Sequence, residues 1–451
     1  MTGPSRSAAV SPARAVAYTV LRRVFEQDAW ADRALHGEAG RARLDARDRA
    51  LATQLAYGSV QRAATLDHLI ATLAKRSVER IDPPLRAALR LGAFQLAYLD
   101  GIAAHAAVGE SVELAKADAP RGAGLVNAVL RRAAREGRTL VEALPDGTAA
   151  EAALRHSYPA WIAELWFETL GADAARALLA AGNRPAEAAV RANTLRTTAT
   201  ALAAELPVPS RPVAQLPEGL VLEGAFDAFG SALWGQGAFM PQSRAAIAVG
   251  RILGPRPGER VLDLCAAPGA KSTHLAALME GRGSVVAVER HPGRAQALAR
   301  TATRMGAEIV EVRVEDATQP REPAAYDRVL VDPPCSDLGT LAARPDARWR
   351  KPAGRPGELA LVQGAILRAG ADALRPGGTL VYSTCTISPE ENEQVVDAFL
   401  DEREDFTADD LGSSEWSVWQ HGRRPMFLQT LPHRHGTDGF FIARLRRSGS
   451  A

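Results

Sequence analysis

Three cysteines are the residues of this 451-residue sequence best suited to chemistry. Cys265, Cys335 and Cys385 each follow an apolar run that is typical of a buried strand. Because the carboxyl ends of parallel strands meet at one edge of a sheet, we expect the three thiols to converge there. A lone cysteine is usually a small buried hydrophobic residue, but two at the ends of neighbouring central strands favour a nucleophilic thiolate. A redox pair and metal ligands are the alternatives, and the wide spacing and missing histidine partners argue against both.

A second set of residues predicts a pocket for a nucleotide-like ligand. Residues 260–274 are typical of a strand, a turn of small residues and the start of a helix, whose N-terminus offers N–H donors to an anionic group. Glu289 ends the second predicted strand and Asp316 follows the third, where carboxylates reach ribose hydroxyls and border a base. The turn adds further expected ligand contacts, which are Cys265, Ala266, Ala267, Pro268, Gly269, Ala270 and Lys271. Together these features describe an adenosine pocket.

The elements that must position these side chains alternate between strand and helix from Gly237 onward. The apolar runs predict strands at 260–264, 284–288, 308–314, 326–331, 379–383 and 439–445. Helices are predicted at 292–305, 359–374 and 390–400, and residues 403–435 are irregular, so we assign them no element. This order predicts a doubly wound α/β sheet with its reactive residues at the strand ends.

The part of the chain before Gly237 shows a different pattern of predicted elements. Helical spacing from Ser11 to about residue 138 predicts an all-α bundle, and we expect residues 1–10 to be a disordered start. Residues 150–235 predict a small mixed module with strands at 189–195 and 220–222. Arg191 and Asn193 in that module either touch RNA or have a local capping role, and the sequence leaves both open.

Composition narrows the class of protein. Hydrophobic content of 47% and charged content of 24% are ordinary for a globular protein, and the longest apolar runs fall short of a membrane span. Residues 1–140 hold 21 Lys and Arg against 14 Asp and Glu, or +7, so the total of +2 leaves −5 for the remainder. A basic N-terminal third suggests a nucleic-acid partner. We expect a cytoplasmic protein, a monomer, with no membrane association.

Two family resemblances follow from longer motifs. The stretches Ala104–Lys116 and Gly124–Arg132 resemble the NusB antitermination-factor fold, an all-helical RNA-binding domain, over most of residues 11–138. The remainder resembles the RNA 5-methylcytosine methyltransferases of the Fmu/Sun family, which act on small-subunit ribosomal RNA. The stretches that carry this second resemblance are Leu262–Lys271, Asp332–Ser336, Arg344–Arg350, Leu380–Cys385, Pro389–Asn392 and Gly436–Phe441.

The resemblances imply a multidomain fold of three parts. Residues 1–140 are expected to be an all-α NusB-like RNA-binding domain, and residues 141–236 a small mixed α/β linker module that is a candidate for RNA contact. Residues 237–451 are expected to be an α/β Rossmann-like S-adenosylmethionine-dependent methyltransferase domain.

The second resemblance also implies a reaction, in which a methyl group passes from S-adenosylmethionine to C5 of a cytosine, with 16S ribosomal RNA as the expected substrate. Cys385 is then the nucleophile that attacks C6, and Cys335 assists product release. Asp332 hydrogen-bonds the cytosine ring and also contacts the cofactor, while Lys271 supplies a positive charge beside it. No metal is implied.

Three departures from the family pattern bear on these expectations. Ala270 stands where a second glycine is usual, which is tolerable unless that position needs a positive φ. Glu289 replaces the usual aspartate and can still chelate a diol. Asp337 replaces a glycine, and we expect it and the arginine-poor stretch Leu341–Ala343 to weaken or alter RNA binding without touching the nucleophile.

Two other functions remain as alternatives. One is a methyltransferase acting on a nitrogen or oxygen atom, for which Cys385 would only pack. The other is a non-catalytic RNA-binding assembly factor, which the intact Cys335, Cys385 and ligand loop disfavour.

Overall fold

The computed structural model describes residues 10–224, 226–319 and 322–449, and the chain divides into two compact units. The helical unit comprises Met1–Pro185 with Leu341–Lys351, and the sheet unit comprises Ala186–Thr340 with Pro352–Ala451. The disordered start expected for residues 1–10 lies outside the described residues except for Val10. The predicted domain boundaries at 140/141 and 236/237 stay a prediction.

The helical unit contains the all-α region that the sequence predicts. Its helices are α1 Pro12–Glu26, α2 Ala31–Arg41, α3 Ala46–Gln61, α4 Ala63–Ala74, α5 Pro83–Tyr98, α6 Ala104–Asp118, α7 Ala123–Arg132, α8 Arg138–Glu142, α9 Ala149–His156, α10 Ala160–Leu170 and α11 Ala172–Ala181. Proline in the first turn starts both α1 and α5, as expected for a residue with a fixed helical φ. Helices α3 and α5 approach closely at Gly58, where an added Cβ would lie 2.0 Å from Cζ of Phe94.

A segment from late in the chain completes the helical unit. Within Leu341–Lys351, the fully buried Arg348 donates hydrogen bonds to the carbonyl oxygens of Ser157 at 3.1 Å and Gly182 at 2.9 Å. Trp349 Nε1 donates to a helix α3 carbonyl at 2.9 Å. A buried guanidinium needs such acceptors to offset its lost hydration. Arg348 and Trp349 therefore have structural contacts within the helical unit.

The sheet unit begins with a small antiparallel sheet. Its strands are β1 Ala189–Ala192, β2 Ser210–Val213, β3 Leu216–Leu222 and β4 Phe239–Pro241, in the order β2-β3-β1-β4. The short helices α12 Ala199–Glu205 and α13 Ala232–Gly235 lie between them in sequence. Strands β1 and β3 confirm the two that the sequence predicts in this module, and β2 and β4 were not predicted.

The second sheet carries the predicted site residues. Its strands are β5 Arg260–Leu264, β6 Ser284–Val288, β7 Val310–Arg313, β8 Tyr326–Val331, β9 Leu374–Thr384, β10 Phe406–Ala408, β11 Leu428–Gln429 and β12 Phe441–Arg447. The order is β10-β12-β9-β8-β5-β6-β7, with β11 paired to β12. Strands β9, β8, β5, β6 and β7 are parallel, and β12 is antiparallel to both β9 and β10.

Helices cover both faces of this sheet. They are α14 Arg244–Leu253, α15 Ala270–Leu278, α16 Pro292–Met305, α17 Arg355–Ala373, α18 Glu393–Glu402 and α19 Pro432–His435. Leu262 packs on one face in a cluster with Ile366 of α17, and Val261 packs on the other in a cluster with Ile252 of α14. Burial on both faces is typical of parallel strands, and it confirms the predicted doubly wound arrangement.

The strand and helix predictions fail mainly near the C-terminus. The strands at 284–288 and 326–331 and the helix at 292–305 agree with the structure to the residue. Residues 403–435 contain β10, β11 and α19, which the sequence did not indicate, because each has at most four residues and two of them exist through pairing with β12. Over the described ranges, the structure has no helix with the length and apolar character that crossing a membrane requires.

Candidate active site

Two adjacent parallel strands bring Cys335 and Cys385 together. Cys335 lies in the loop after β8, and Cys385 directly follows β9, which pairs with β8 in parallel. Their sulfur atoms are 3.3 Å apart. Cys265 follows β5 on the other side of β8, and among the described residues no hydrogen bond joins it to either thiol. Burial raises the pKa of Cys265 to about 12, which leaves it a neutral thiol.

A carboxylate and an ammonium group lie beside the thiol pair. Lys271 Nζ donates to Asp332 Oδ2 at 2.7 Å, and Ser383 Oγ donates to Asp332 Oδ1 at 2.9 Å. Burial lowers the pKa of Lys271, but the charge and hydrogen bond of Asp332 more than offset it, so the pKa is raised overall. Lys271 therefore stays charged, and Asp332 is held in one orientation from both of its oxygens.

Asp337 corrects one expectation from the sequence. Its Oδ1 accepts hydrogen bonds from Cys385 Sγ at 3.2 Å and from Cys335 Sγ at 3.7 Å, so this residue does touch the expected nucleophile. Its φ of 54° is left-handed, a conformation that aspartate tolerates better than most residues. The sequence does not predict this contact, because it depends on the conformation of the loop after β8, which brings Asp337 to Cys385 after β9.

The same cluster changes the argument about metals and redox chemistry. The two sulfurs and the Asp337 carboxylate oxygen lie within 4.8 Å of one another, a grouping that is able to hold a metal ion. The sequence argument from wide spacing is wrong for these residues, since thiols 50 positions apart are in contact. The absence of a metal stays a prediction.

Glu391 connects the two thiol-bearing loops, and the sequence did not single it out as functional. This fully buried carboxylate accepts from the backbone N of Ser336 at 2.7 Å, from Gln363 at 3.0 Å and from Thr386 at 3.3 Å. Burial raises its pKa, although these hydrogen bonds partly oppose that shift. Ser336 is next to Cys335 and Thr386 is next to Cys385, so Glu391 holds the thiols in register. A signal was present, because Glu391 belongs to the stretch Pro389–Asn392 that carries the family resemblance.

Two glycines complete the support of the Cys335 loop. Gly339 donates its backbone N–H to the carbonyl oxygen of Cys385 at 3.0 Å and accepts at its own carbonyl from Gly439 N at 2.8 Å. A Cβ at Gly339 would lie 1.8 Å from the carbonyl oxygen of Gly439, far inside van der Waals contact. Only glycine fits where these two backbones meet.

The expected ligand loop turns sharply between β5 and α15. Cys265 and Gly269 have positive φ values of 65° and 102°, and α15 then begins at Ala270. Ala270 therefore does not need a positive φ, and the alanine is tolerated there. Behind the loop, the buried Asp263 accepts from Ser272 Oγ at 2.6 Å through Oδ2, while its Oδ1 receives no hydrogen bond from the described residues. Burial raises the pKa of Asp263 from 3.8 to about 7.

The two acids expected to contact the cofactor follow the neighbouring strands. Glu289 directly follows β6, is 3% exposed, and accepts from the backbone N of His291 at 2.9 Å. Asp316 lies three residues beyond β7, is exposed, and accepts from the backbone N of Thr318 at 2.9 Å. The loop, Glu289 and Asp316 thus stand at the carboxyl ends of three adjacent strands, β5, β6 and β7.

These residues fit the cofactor that the resemblance implies. Glu289 offers a carboxylate to a ribose diol, and Asp316 offers one to the edge of a base. The start of α15 offers backbone N–H groups and a partial positive charge to a carboxylate. Asp332 follows β8 in the same row of strand ends, so the thiols after β8 and β9 lie at the other end of that row.

Arg191 and Asn193 do not contact RNA in this fold, because both are fully buried. Arg191 donates to Thr273 Oγ1 at 3.1 Å and to the carbonyl oxygen of Ala270 at 3.3 Å. Asn193 Nδ2 donates to the carbonyl oxygen of Met305 at 2.7 Å, where α16 ends. Both residues therefore brace the helices that flank the ligand loop, and the structure decides for a local role.

Three family models match successive parts of the chain. The NusB family model matches residues 11–135, and a ferredoxin-like domain of the RsmF/B-like methyltransferases matches residues 158–228. The model described as 16S rRNA methyltransferase RsmB/F matches residues 250–446. These matches confirm the predicted fold class: an all-α NusB-like part, a small α/β module and a Rossmann-like methyltransferase domain.

Individual proteins are similar over nearly the full length. A probable ribosomal RNA small subunit methyltransferase B from Synechocystis is 38% identical over 97% of this chain and 99% of its own. The ribosomal RNA small subunit methyltransferase B of Thermus thermophilus is 39% identical over 90% of each chain. A crystal structure described as that of PH0851 aligns with a TM-score of 0.82 at 25% identity, covering 98% of this chain and 100% of that one.

Proposed function

Because the chain belongs to the RsmB/F family of 16S rRNA methyltransferases, we propose that it methylates C5 of a cytosine in 16S ribosomal RNA through a covalent bond to Cys385. At the coarser level, the predictions of an RNA methyltransferase and of S-adenosylmethionine as its cofactor are confirmed. The observation that carries the finer proposal is the contact of 3.3 Å between the two thiols at the ends of adjacent strands.

Cytosine C5 needs activation before it accepts a methyl group. The C5 carbon of the free base is a weak nucleophile, and addition of a thiolate to C6 makes it electron-rich. Cys385 supplies that thiolate, because it stands at the end of a central strand on a loop fixed by Glu391 and Gly339. S-adenosylmethionine, when bound, supplies the methyl group.

Asp332 and Lys271 act on the cytosine ring. Asp332 is fixed by hydrogen bonds of 2.7 and 2.9 Å from Lys271 and Ser383. It orients the cytosine ring by hydrogen-bonding to the polar edge of that ring. Negative charge builds on the ring as the sulfur bonds to C6, and the Lys271 ammonium stabilises it electrostatically. These two fixed groups support a site that activates the cytosine ring before the methyl group is transferred.

Cys335 assists the end of the reaction. Once C5 carries the methyl group, its proton must leave and the bond between Cys385 and C6 must break. Cys335 Sγ is in contact with Cys385 Sγ and so is placed to help this elimination. Without that help, the protein would stay bound to its RNA.

The cofactor contacts that we propose follow the strand ends. Glu289 binds the ribose hydroxyls, Asp316 borders the adenine, and Asp332 and Lys271 lie between the cofactor and the cytosine. The turn between β5 and α15 binds through its backbone, and its residues are Cys265, Ala266, Ala267, Pro268, Gly269, Ala270 and Lys271.

The RNA must present an unstacked nucleotide, since C6 is inaccessible within a helix. We propose that the basic NusB-like part adds affinity for the RNA backbone. The monomeric state, the cytoplasmic location and the absence of a metal stay predictions. Methylation of a nitrogen or oxygen atom remains the alternative function, and it requires neither thiol.

The test uses small-subunit ribosomal RNA and labelled S-adenosylmethionine with the wild type, Cys385→Ala and Cys335→Ala. We expect label on cytosine C5, located by bisulfite sequencing and mass spectrometry, and no label with Cys385→Ala, although that variant still binds the cofactor. Label on another atom, or undiminished turnover by Cys385→Ala, would refute the proposed chemistry.

A further inference from the structure

Asp337 is the feature of the site that the family pattern does not explain, since a glycine is usual at this position. Its backbone carbonyl accepts from the backbone N of Thr340 at 3.0 Å and from Thr340 Oγ1 at 3.1 Å. Together with the left-handed φ of 54°, these bonds fix the loop so that the side chain points back at the thiols. The carboxylate is thus built into the site by its own turn.

The hydrogen bonds of Cys385 Sγ identify what receives its proton. Among the described residues, Cys385 Sγ has two hydrogen-bond partners, Cys335 Sγ at 3.3 Å and Asp337 Oδ1 at 3.2 Å. A second thiol is a poor proton acceptor, and the Lys271 ammonium already carries its proton. Asp332 faces Lys271 and Ser383. The Asp337 carboxylate is left as the acceptor in contact with the nucleophile.

We propose that Asp337 is the general base that takes the proton of the Cys385 thiol as the sulfur bonds to C6 of the cytosine. This role rests on the proposed function of the site. The S–H bond breaks and its proton moves to Asp337 Oδ1, while the sulfur lone pair forms the S–C6 bond. The electron pair of the C5–C6 double bond moves into the ring and is then used to bond the methyl group at C5.

In product release the S–C6 bond breaks again, and the protons and electron pairs of the whole reaction balance. The C5 proton leaves to water, its electron pair restores the C5–C6 double bond, and the S–C6 bond breaks with its pair returning to Cys385. The proton held by Asp337 returns to that sulfur. One proton is released to solvent for each methyl group transferred, and Asp337 is unchanged.

The state of the nucleophile explains why a base is needed. The hydrogen bond with Cys335, burial, and the charges of Cys335, Asp337 and Asp332 hold the pKa of Cys385 well above its usual range. The resting group is therefore a thiol, which is a weak nucleophile. A nearby carboxylate disfavours a free thiolate at Cys385. Asp337 therefore takes the proton while the sulfur attacks C6, and Cys385 is not ionised before that step.

Two measurements on Asp337→Asn separate a base from a neighbouring charge. Asparagine keeps the size and a hydrogen-bonding oxygen but takes no proton, so methyl transfer in a single turnover should fall by roughly 10²–10⁴-fold. Removing the negative charge should lower the pKa of Cys385, so its alkylation by iodoacetamide at pH 7.5 should rise by roughly tenfold. Peptide mass spectrometry quantifies alkylation of Cys385, with Cys265 in the same sample as the reference.

The controls distinguish this proposal from the one on which it rests. Asp401→Asn changes an exposed helical acid and should alter neither rate. If Asp337→Asn transfers methyl groups as fast as the wild type while Cys385→Ala is inactive, the base is refuted and the nucleophile stands. If Cys385→Ala remains active, the proposed function itself fails. A stoichiometric metal ion in the purified wild type, lost in Asp337→Asn, would make Asp337 a ligand and also overturn the proposal.

Discussion

The two sides of the pocket are held in place in different ways. On the cofactor side, the turn between β5 and α15 is fixed in part by neighbours in sequence, such as Asp263 with Ser272, nine residues apart, and α15 is also braced by Arg191. On the thiol side, the loop around Cys335 is fixed by Glu391, 55 residues from Ser336, and by Gly439, 100 residues from Gly339. A local motif therefore contributes to the first, whereas these contacts of the second join distant parts of the chain.

Among the tests of this comparison, the largest effect on activity should come from disturbing the thiol side at Gly339. In Gly339→Ala the new Cβ would meet the carbonyl oxygen of Gly439 at 1.8 Å, so one backbone must move. Overpacking of this kind costs roughly 1–3 kcal/mol of unfolding free energy. Displacing the loop by about 1 Å should lower kcat by roughly 10²-fold. Cofactor affinity, measured by calorimetry, should remain near that of the wild type.

Gly354→Ala is the matched control, because a Cβ at Gly354 meets nothing within 4 Å. It should leave kcat and the unfolding transition close to the wild-type values. If Gly339→Ala were as active as Gly354→Ala, the close approach of the two glycines would have no bearing on catalysis.

The cofactor side should show its effect as a dependence of stability on pH. Burial raises the pKa of Asp263 to about 7 in the folded protein, against an ordinary value of 3.8. The folded state then binds more protons than the unfolded state between these values, so the contribution of Asp263 to stability is present below pH 4 and is lost as pH rises toward 7. Asparagine does not titrate, so Asp263→Asn should not lose stability in this way as pH rises.

Chemical unfolding without cofactor measures the difference between the two proteins. The stability of Asp263→Asn relative to the wild type should rise by up to roughly 4 kcal/mol between pH 4 and pH 8. Parallel pH profiles for the two proteins would show that Asp263 titrates normally, and the account of the buried carboxyl would be wrong.

The smallest effect is expected from restoring the family residue at Ala270. This residue begins α15 and follows the positive φ of Gly269, so a glycine gains no conformational advantage. Ala270→Gly should lose at most roughly 1 kcal/mol of stability through helix propensity. Affinity for S-adenosylmethionine should stay within about threefold, by calorimetry. A tenfold gain in affinity would mean that the alanine methyl obstructs the pocket.

The same contrast explains what sequence could and could not predict. The apolar runs in β6 and β8 each end at an acidic residue, Glu289 and Asp332, so their carboxyl ends follow from pattern alone. The ligand loop is a local motif, and its acids follow from the order of strands. The contact of Asp337 with Cys385 has no such signal, because it depends on the φ of one residue and the alignment of β8 with β9. The burial of Arg191 has no local signal either, because it depends on a hydrogen bond from β1 to Thr273 of α15.

Short elements and supporting residues were missed for a related reason. Strands β10 and β11 are three and two residues long, too short to show an alternating pattern, and they form by pairing with β12. Glu391 lies in a recognisable motif, but its role follows from partners in two separate loops. Such long-range contacts are set by the tertiary fold.

The central claim is that Cys385 bonds covalently to cytosine. Its most direct test is 16S ribosomal RNA that contains 5-fluorocytidine, because fluorine at C5 is not lost as a proton is and the product cannot be released. With S-adenosylmethionine, the wild type and Cys265→Ala should each form a protein–RNA complex that survives a denaturing gel, and mass spectrometry should locate the bond at Cys385. Cys385→Ala should form none. A complex of equal yield with Cys385→Ala, or none with an active wild type, would contradict the account.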